Sequence, residues 1–113
     1  MAADPEVYLP LHPLEFRVLL AALDGPSHGY AIVKAIEARE EGAIYPANLY
    51  RRVRDLLSRG LLEDVEAPAG EDPEGRRRYV VVTRLGRAVA RLEARRLDAL
   101  VRDARAAHLL SRA

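Results

Sequence analysis

Asn48, Tyr50, Arg51 and Arg54 crowd into the opening turns of one stretch, YPANLYRRVRDLLSRGLL, which runs from Tyr45 to Leu62. These are side chains that hydrogen-bond to nucleic acid: an Asn amide matches the adenine edge and an Arg fork the guanine edge in a major groove. Tyrosine and further arginines serve the phosphate backbone. A second basic run, Arg76, Arg77 and Arg78, follows about two dozen residues later. Other chemistries are poorly supplied. The chain has no cysteine, and His12, His28 and His108 are far apart without metal-ligand spacing. There is no nucleophile motif and no phosphate-cradling glycine loop. We therefore expect no metal, no cofactor and no enzymatic activity, with His28 acting as a capping or packing residue.

The element that must present these side chains is an amphipathic helix. Pro46 suits its first turn. Leu49, Val53, Leu56 and Leu57 form a single apolar stripe, and Gly60 stands where a left-handed residue ends a helix. At about 100° per residue, the opposite side carries Ala47, Arg51, Arg54 and Ser58. Asn48, Arg52 and Asp55 lie on one flank and Tyr50 on the other.

Residues 1–12 read as a mostly extended arm. A first helix is expected over Pro13–Leu23, closed by Asp24, Gly25 and Pro26. Its apolar residues make two stripes: Leu14, Val18, Ala21 and Ala22 on one side, and Phe16, Leu19, Leu20 and Leu23 on the other. A helix apolar all round must be covered all round, which points to a second subunit. A second helix is expected after Ser27 as N-cap, running to about Glu40, with Gly29, Ile32, Val33 and Ile36 inward and Lys34, Glu37 and Glu41 outward. The short link that follows makes a helix-turn-helix, with room for a short strand at Ala43–Tyr45.

Beyond Gly60 the pattern turns extended. Leu61–Ala67 and Arg77–Val82 are strand candidates joined by a long charged loop, the layout of a β-wing, with Arg76 and Arg77 at its return. Thr83 caps a terminal helix whose stripe begins with Leu85, Val89 and Leu92. Arg96 breaks it, and a second stripe of Leu97, Leu100, Val101 and Ala104 follows, fit for a partner. Fold class is thus mainly α: a winged helix-turn-helix at 13–83, with a three-helix core and two-stranded wing, then a long dimerisation helix at 84–113.

The net charge of +1 conceals strong segregation. Residues 1–44 carry three bases and seven acids, 45–60 four bases and one acid, 61–75 six acids and no base, and 76–113 eleven bases and three acids. Phosphates respond to local potential within about a Debye length, so two basic segments can act on DNA in a near-neutral chain. No run approaches the roughly 20 apolar residues of a membrane span, and the start does not resemble a signal peptide. A soluble, cytoplasmic protein is expected.

In order and spacing these motifs resemble the PadR family of bacterial transcriptional regulators, from about Leu11 to Leu100. The matching residues are His28, Gly29 and Tyr30, then Leu49, Tyr50, Gly60 and Leu61, then Arg78, Tyr79, Thr83 and Gly86. Tyr45 departs from the small polar residue usual in relatives, and acids at 71, 72 and 74 face the wing tip. The resemblance implies a compact member: a homodimer that binds operator DNA, mostly as a repressor, and in some cases answers to small lipophilic or phenolic molecules. The expected DNA contacts are Asn48, Tyr50, Arg51, Arg54, Arg76 and Arg77. The expected dimer contacts are Phe16, Leu20, Leu97, Leu100, Val101 and Ala104, with a hydrophobic effector in their seam. The rival reading is a winged helix used only for protein association, which would need apolar residues where Arg51 and Arg54 stand.

Overall fold

Local caps and period define the elements of the computed structural model, which describes residues 4–39 and 46–111. Helix α1 spans Pro13–Ala21, α2 Gly29–Glu37, α3 Pro46–Ser58 and α4 Arg84–Ala106; the strands are β1 at Ser27–His28, β2 at Leu62–Val65 and β3 at Tyr79–Val82. All three strands form one antiparallel sheet in the order β1-β3-β2. Ser27 faces Val80 and His28 faces Tyr79, while Leu62 faces Val82 and Val65 faces Tyr79. The expected winged helix is present, with a third short strand added to the two-stranded wing.

Each helix start has a specific cause. His12 Nδ1 accepts the Leu14 N–H at 3.0 Å, and Glu15 returns a bond to the His12 N–H at 3.1 Å, a capping box around Pro13. The N-cap of α2 is His28 and not Ser27: His28 Nδ1 accepts the Ala31 N–H at 3.2 Å. Ser27 is instead engaged in β1, where pairing with Val80 uses its backbone. Thr83 caps α4 by accepting the Gly86 N–H at 2.9 Å.

The core gathers one face of every helix with the sheet: Val18 and Leu19 from α1, Ile32 and Ile36 from α2, Leu49 and Leu56 from α3. Leu61, Val80 and Val89 close it from the wing and α4. Leu19 therefore joins Val18 inside rather than sharing the outer stripe with Leu20. Helices α1 and α2 end two and three residues sooner than their apolar patterns suggested, at Ala21 and Glu37. The strand envisaged at Ala43–Tyr45 lies outside the described residues.

The N-terminal segment is not a mostly extended arm. Asp4 caps a 3₁₀ turn at Pro5–Tyr8, which packs on α4, and Leu11 is buried. What holds it is Glu93, 1% exposed, whose Oε2 accepts the Leu11 N–H at 2.7 Å while Oε1 takes Arg96. A buried carboxylate is tolerable only when paired and hydrogen-bonded in this way. Its hydrogen bond raises the Arg96 guanidinium above its ordinary value. A radius of gyration of 15.7 Å exceeds the about 13–14 Å of a compact chain this size, because the far half of α4 projects from the body.

Candidate nucleic-acid interface

The arginines of α3, with Arg59 just past its end, divide between two tasks. Arg52 and Arg59 turn inward to Glu15 of α1, Arg52 Nη1 at 3.7 Å and Arg59 in direct hydrogen-bonded contact. Glu15 is buried, and its carboxylate, shared by these two cations, ties this part of the chain to α1. Arg51 and Arg54 point to solvent with Asn48, and among the described residues neither arginine has a hydrogen-bond or ion-pair partner. This leaves a cationic face with donors free for base edges and phosphates.

Tyr50 connects that face to α2. Its ring crosses directly over Gly29, so close that a Cβ at Gly29 would collide with Cε1. Gly29 thus allows close packing of α2 against Tyr50. A cleft of about 370 Å³ opens beside the pair, lined by His28, Tyr30, Tyr50, Arg77 and Val80 among others.

The wing return is organised by Asp72. This residue adopts a positive φ of 49°, its carbonyl accepts the Gly75 N–H at 3.0 Å, and its carboxylate accepts the N–H groups of Arg76 at 3.1 Å and Arg77 at 2.9 Å. One of the three acids of the wing tip is thereby consumed in holding the basic run. Arg76 pairs with Glu74 at 2.9 Å and Arg78 with Asp64 at 3.1 Å, both exposed and therefore weak pairs that phosphate can displace. Arg77 takes a different path: Nη1 lies 3.0 Å from His28 Nε2, and the guanidinium lies 6.0 Å from the centre of the Tyr30 ring. Beneath the run, burial of Tyr79, with Glu71 and Asp72 nearby, raises its hydroxyl above the ordinary phenol range.

Of the six sequence-derived contacts, Tyr50 of α3 and Arg76 and Arg77 of the wing line one cleft, while Asn48, Arg51 and Arg54 are exposed on α3. Sequence reasoning missed that the start of α2 lines the same cleft. The signal was present in His28-Gly29-Tyr30, whose aromatic and imidazole rings open the helix beside the wing.

Helices α1 and α4 also expose apolar side chains. Leu20 of α1 is 46% exposed and Leu100 of α4 51% exposed. Phe16, Leu97, Val101 and Ala104 are half-buried. Phe16, Leu20 and Leu97 line a groove of about 410 Å³ between α1 and α4, with Arg96 and Glu93 at its polar side. Among the described residues no helix is long and apolar enough to cross a membrane, and no cluster of side chains could hold a metal ion.

Residues 18–92 match the family model described as the transcriptional regulator PadR-like family. A PadR family transcriptional regulator from Eggerthella lenta is 30% identical, with a TM-score of 0.63, and the match covers 88% of this chain and 83% of that one. A PadR family transcription regulator from Clostridium difficile has the same fold at 16% identity, with a TM-score of 0.74 over 83% of this chain and 96% of that one. BpsR of Bordetella bronchiseptica, whose DNA binding is regulated by 6-hydroxynicotinic acid, is 26% identical with a TM-score of 0.63 over 82% of this chain and 64% of its own. A comparison with curated proteins returns no match.

Proposed function

Because the chain belongs to the transcriptional regulator PadR-like family, and so is a DNA-binding regulator and not an enzyme, we propose that it binds a palindromic operator as a homodimer and acts as a repressor. The observation that carries this reading is the basic face of α3, where Arg51 and Arg54 are exposed with Asn48 and, among the described residues, unpaired. In this reading α3 enters the major groove, Asn48 and Arg51 reach base edges, and Tyr50, Arg54, Arg76 and Arg77 hold the backbone. Residues 13–83 serve as the DNA-binding unit, and two copies read half-sites about 34 Å apart.

Dimerisation is assigned to α1 and the far half of α4, since Leu20 and Leu100 expose large apolar side chains on one side. The groove lined by Phe16, Leu20 and Leu97 is the place for a small hydrophobic effector. Such a molecule releases DNA only if it favours a different spacing of the two α3 helices. The ligand-regulated binding of BpsR supports this arrangement. A module used only for protein association would place apolar residues where Arg51 and Arg54 are, so that alternative is disfavoured.

The test is a footprint on the DNA upstream of the protein's own gene, followed by Arg51→Ala. Loss of one guanine contact should cost about 1–3 kcal/mol per half-site and flatten discrimination at one position. Unchanged operator affinity in that variant would remove α3 as the reader.

A further inference from the structure

The hydrogen-bond count at His28 does not close among the described residues. Nδ1 accepts the Ala31 N–H at 3.2 Å, which places the proton of the neutral ring on Nε2. That N–H faces Arg77 Nη1 at 3.0 Å, and a guanidinium has donors but no acceptor. Two donors therefore converge with no acceptor between them. Shifting the proton to Nδ1 moves the mismatch onto the Ala31 N–H, which α2 holds in place. The flexible Arg77 side is where a third group can resolve it.

More positive charge converges on the same spot. Lys34 Nζ lies 5.3 Å from the centre of the Tyr30 ring, on which Arg77 also bears at 6.0 Å, and His28 stacks against that ring at 6.4 Å. Among the described residues neither the Lys34 ammonium nor the Arg77 guanidinium has a carboxylate partner. Tyr30 itself is 57% exposed, with its hydroxyl available. Two cations and an imidazole thus gather about the Tyr30 phenol, and among the described residues no carboxylate pairs with either cation.

We propose that His28, Tyr30, Lys34 and Arg77 form a binding site for a backbone phosphate of the DNA. The proposal rests on the DNA-binding reading and extends it from α3 and the wing onto α2. A phosphate oxygen placed between His28 Nε2 and Arg77 Nη1 accepts from both, and a second oxygen takes Lys34 or the Tyr30 hydroxyl. Tyr50, packed over Gly29, joins this site to the α3 face, so the phosphate gripped here flanks the groove that α3 enters. Such a contact fixes register on the duplex without reading sequence.

Two measurements test it. Imidazole nitrogen–proton correlation spectra of the full chain should show His28 as the neutral Nε2–H tautomer, and an Nδ1–H ring would overturn the site whatever the protein does with DNA. Binding to a mixed-sequence duplex across a salt series should then show Lys34→Gln lowering the salt slope by about 0.9 per subunit. Tyr30→Phe, which keeps the ring, and His28→Asn, which keeps a capping oxygen, should each weaken low-salt binding roughly five- to tenfold with little change in melting temperature. If the parent binds and Arg54→Ala weakens it, while these three variants match the parent in affinity and slope, the α2 site is wrong and the DNA-binding reading stands. A parent that binds no duplex overturns both.

Discussion

Thr83 donates its hydroxyl proton to the carbonyl oxygen of Gly60 across 2.6 Å. The Thr83 hydroxyl oxygen in turn accepts the Gly86 N–H at 2.9 Å, and the Thr83 N–H donates to the Leu61 carbonyl at 3.1 Å. One side chain thus caps α4 and ties it to the end of α3. Gly86 completes the joint, for a Cβ there would collide with the Leu61 carbonyl oxygen. Gly86→Ala, which must push backbone against backbone, should destabilise the fold by about 3 kcal/mol. Thr83→Val should cost about 1–2 kcal/mol through the lost cap and hydrogen bond. Urea denaturation at fixed protein concentration measures both, and an alanine variant as stable as the parent would contradict the close approach.

Glu93 anchors the N-terminal segment to α4. Glu93→Ala should cost about 3 kcal/mol or more, since it leaves the Leu11 N–H without its acceptor and Arg96 without its counter-charge. Hydrogen exchange should report the loss locally, with Leu11 exchanging faster than the amides of the α2 core. Equal protection at Leu11 in both proteins would contradict the anchoring.

The apolar face of α4 should be covered by a second copy. Leu100→Asp would bury an unpaired charge there, a cost of several kcal/mol. Sedimentation should convert from dimer to monomer. A variant that remains dimeric at micromolar concentration would move the interface elsewhere.

Tyr79 should make the fold sensitive to alkali. Burial, followed by the nearby Glu71 and Asp72, raises its hydroxyl above the unfolded value of about 10. The folded chain then keeps a proton that the unfolded chain releases. The associated stability is present in full below pH about 10 and is lost as pH rises through the folded value. Denaturation midpoints of Tyr79→Phe should therefore decline less steeply than the parent's over that range.

Much of this molecule is legible in the order of its residues. The period of Leu49, Val53 and Leu56 marks α3 and its core side, the change to Tyr79-Val80-Val81-Val82 marks the returning strand, and Thr83 marks the start of α4. Each depends on neighbours within a turn or two of the chain. The cationic face of α3 follows from the same periodicity, because the core side of a helix determines which side is left.

Tertiary structure decided what the charged residues do. Glu15 and Glu93 are both buried, because Arg52, Arg59, Arg96 and the Leu11 N–H arrive from other turns and elements. Ser27 and His28 read as a helix start, and only pairing with β3 makes them a strand and shifts the cap by one residue. Arg77 meets His28 across 49 positions of sequence. Backbone period and caps are local and can be read in sequence; the partner of a charge or a strand edge is set by which elements meet, and that exists only once the chain has folded.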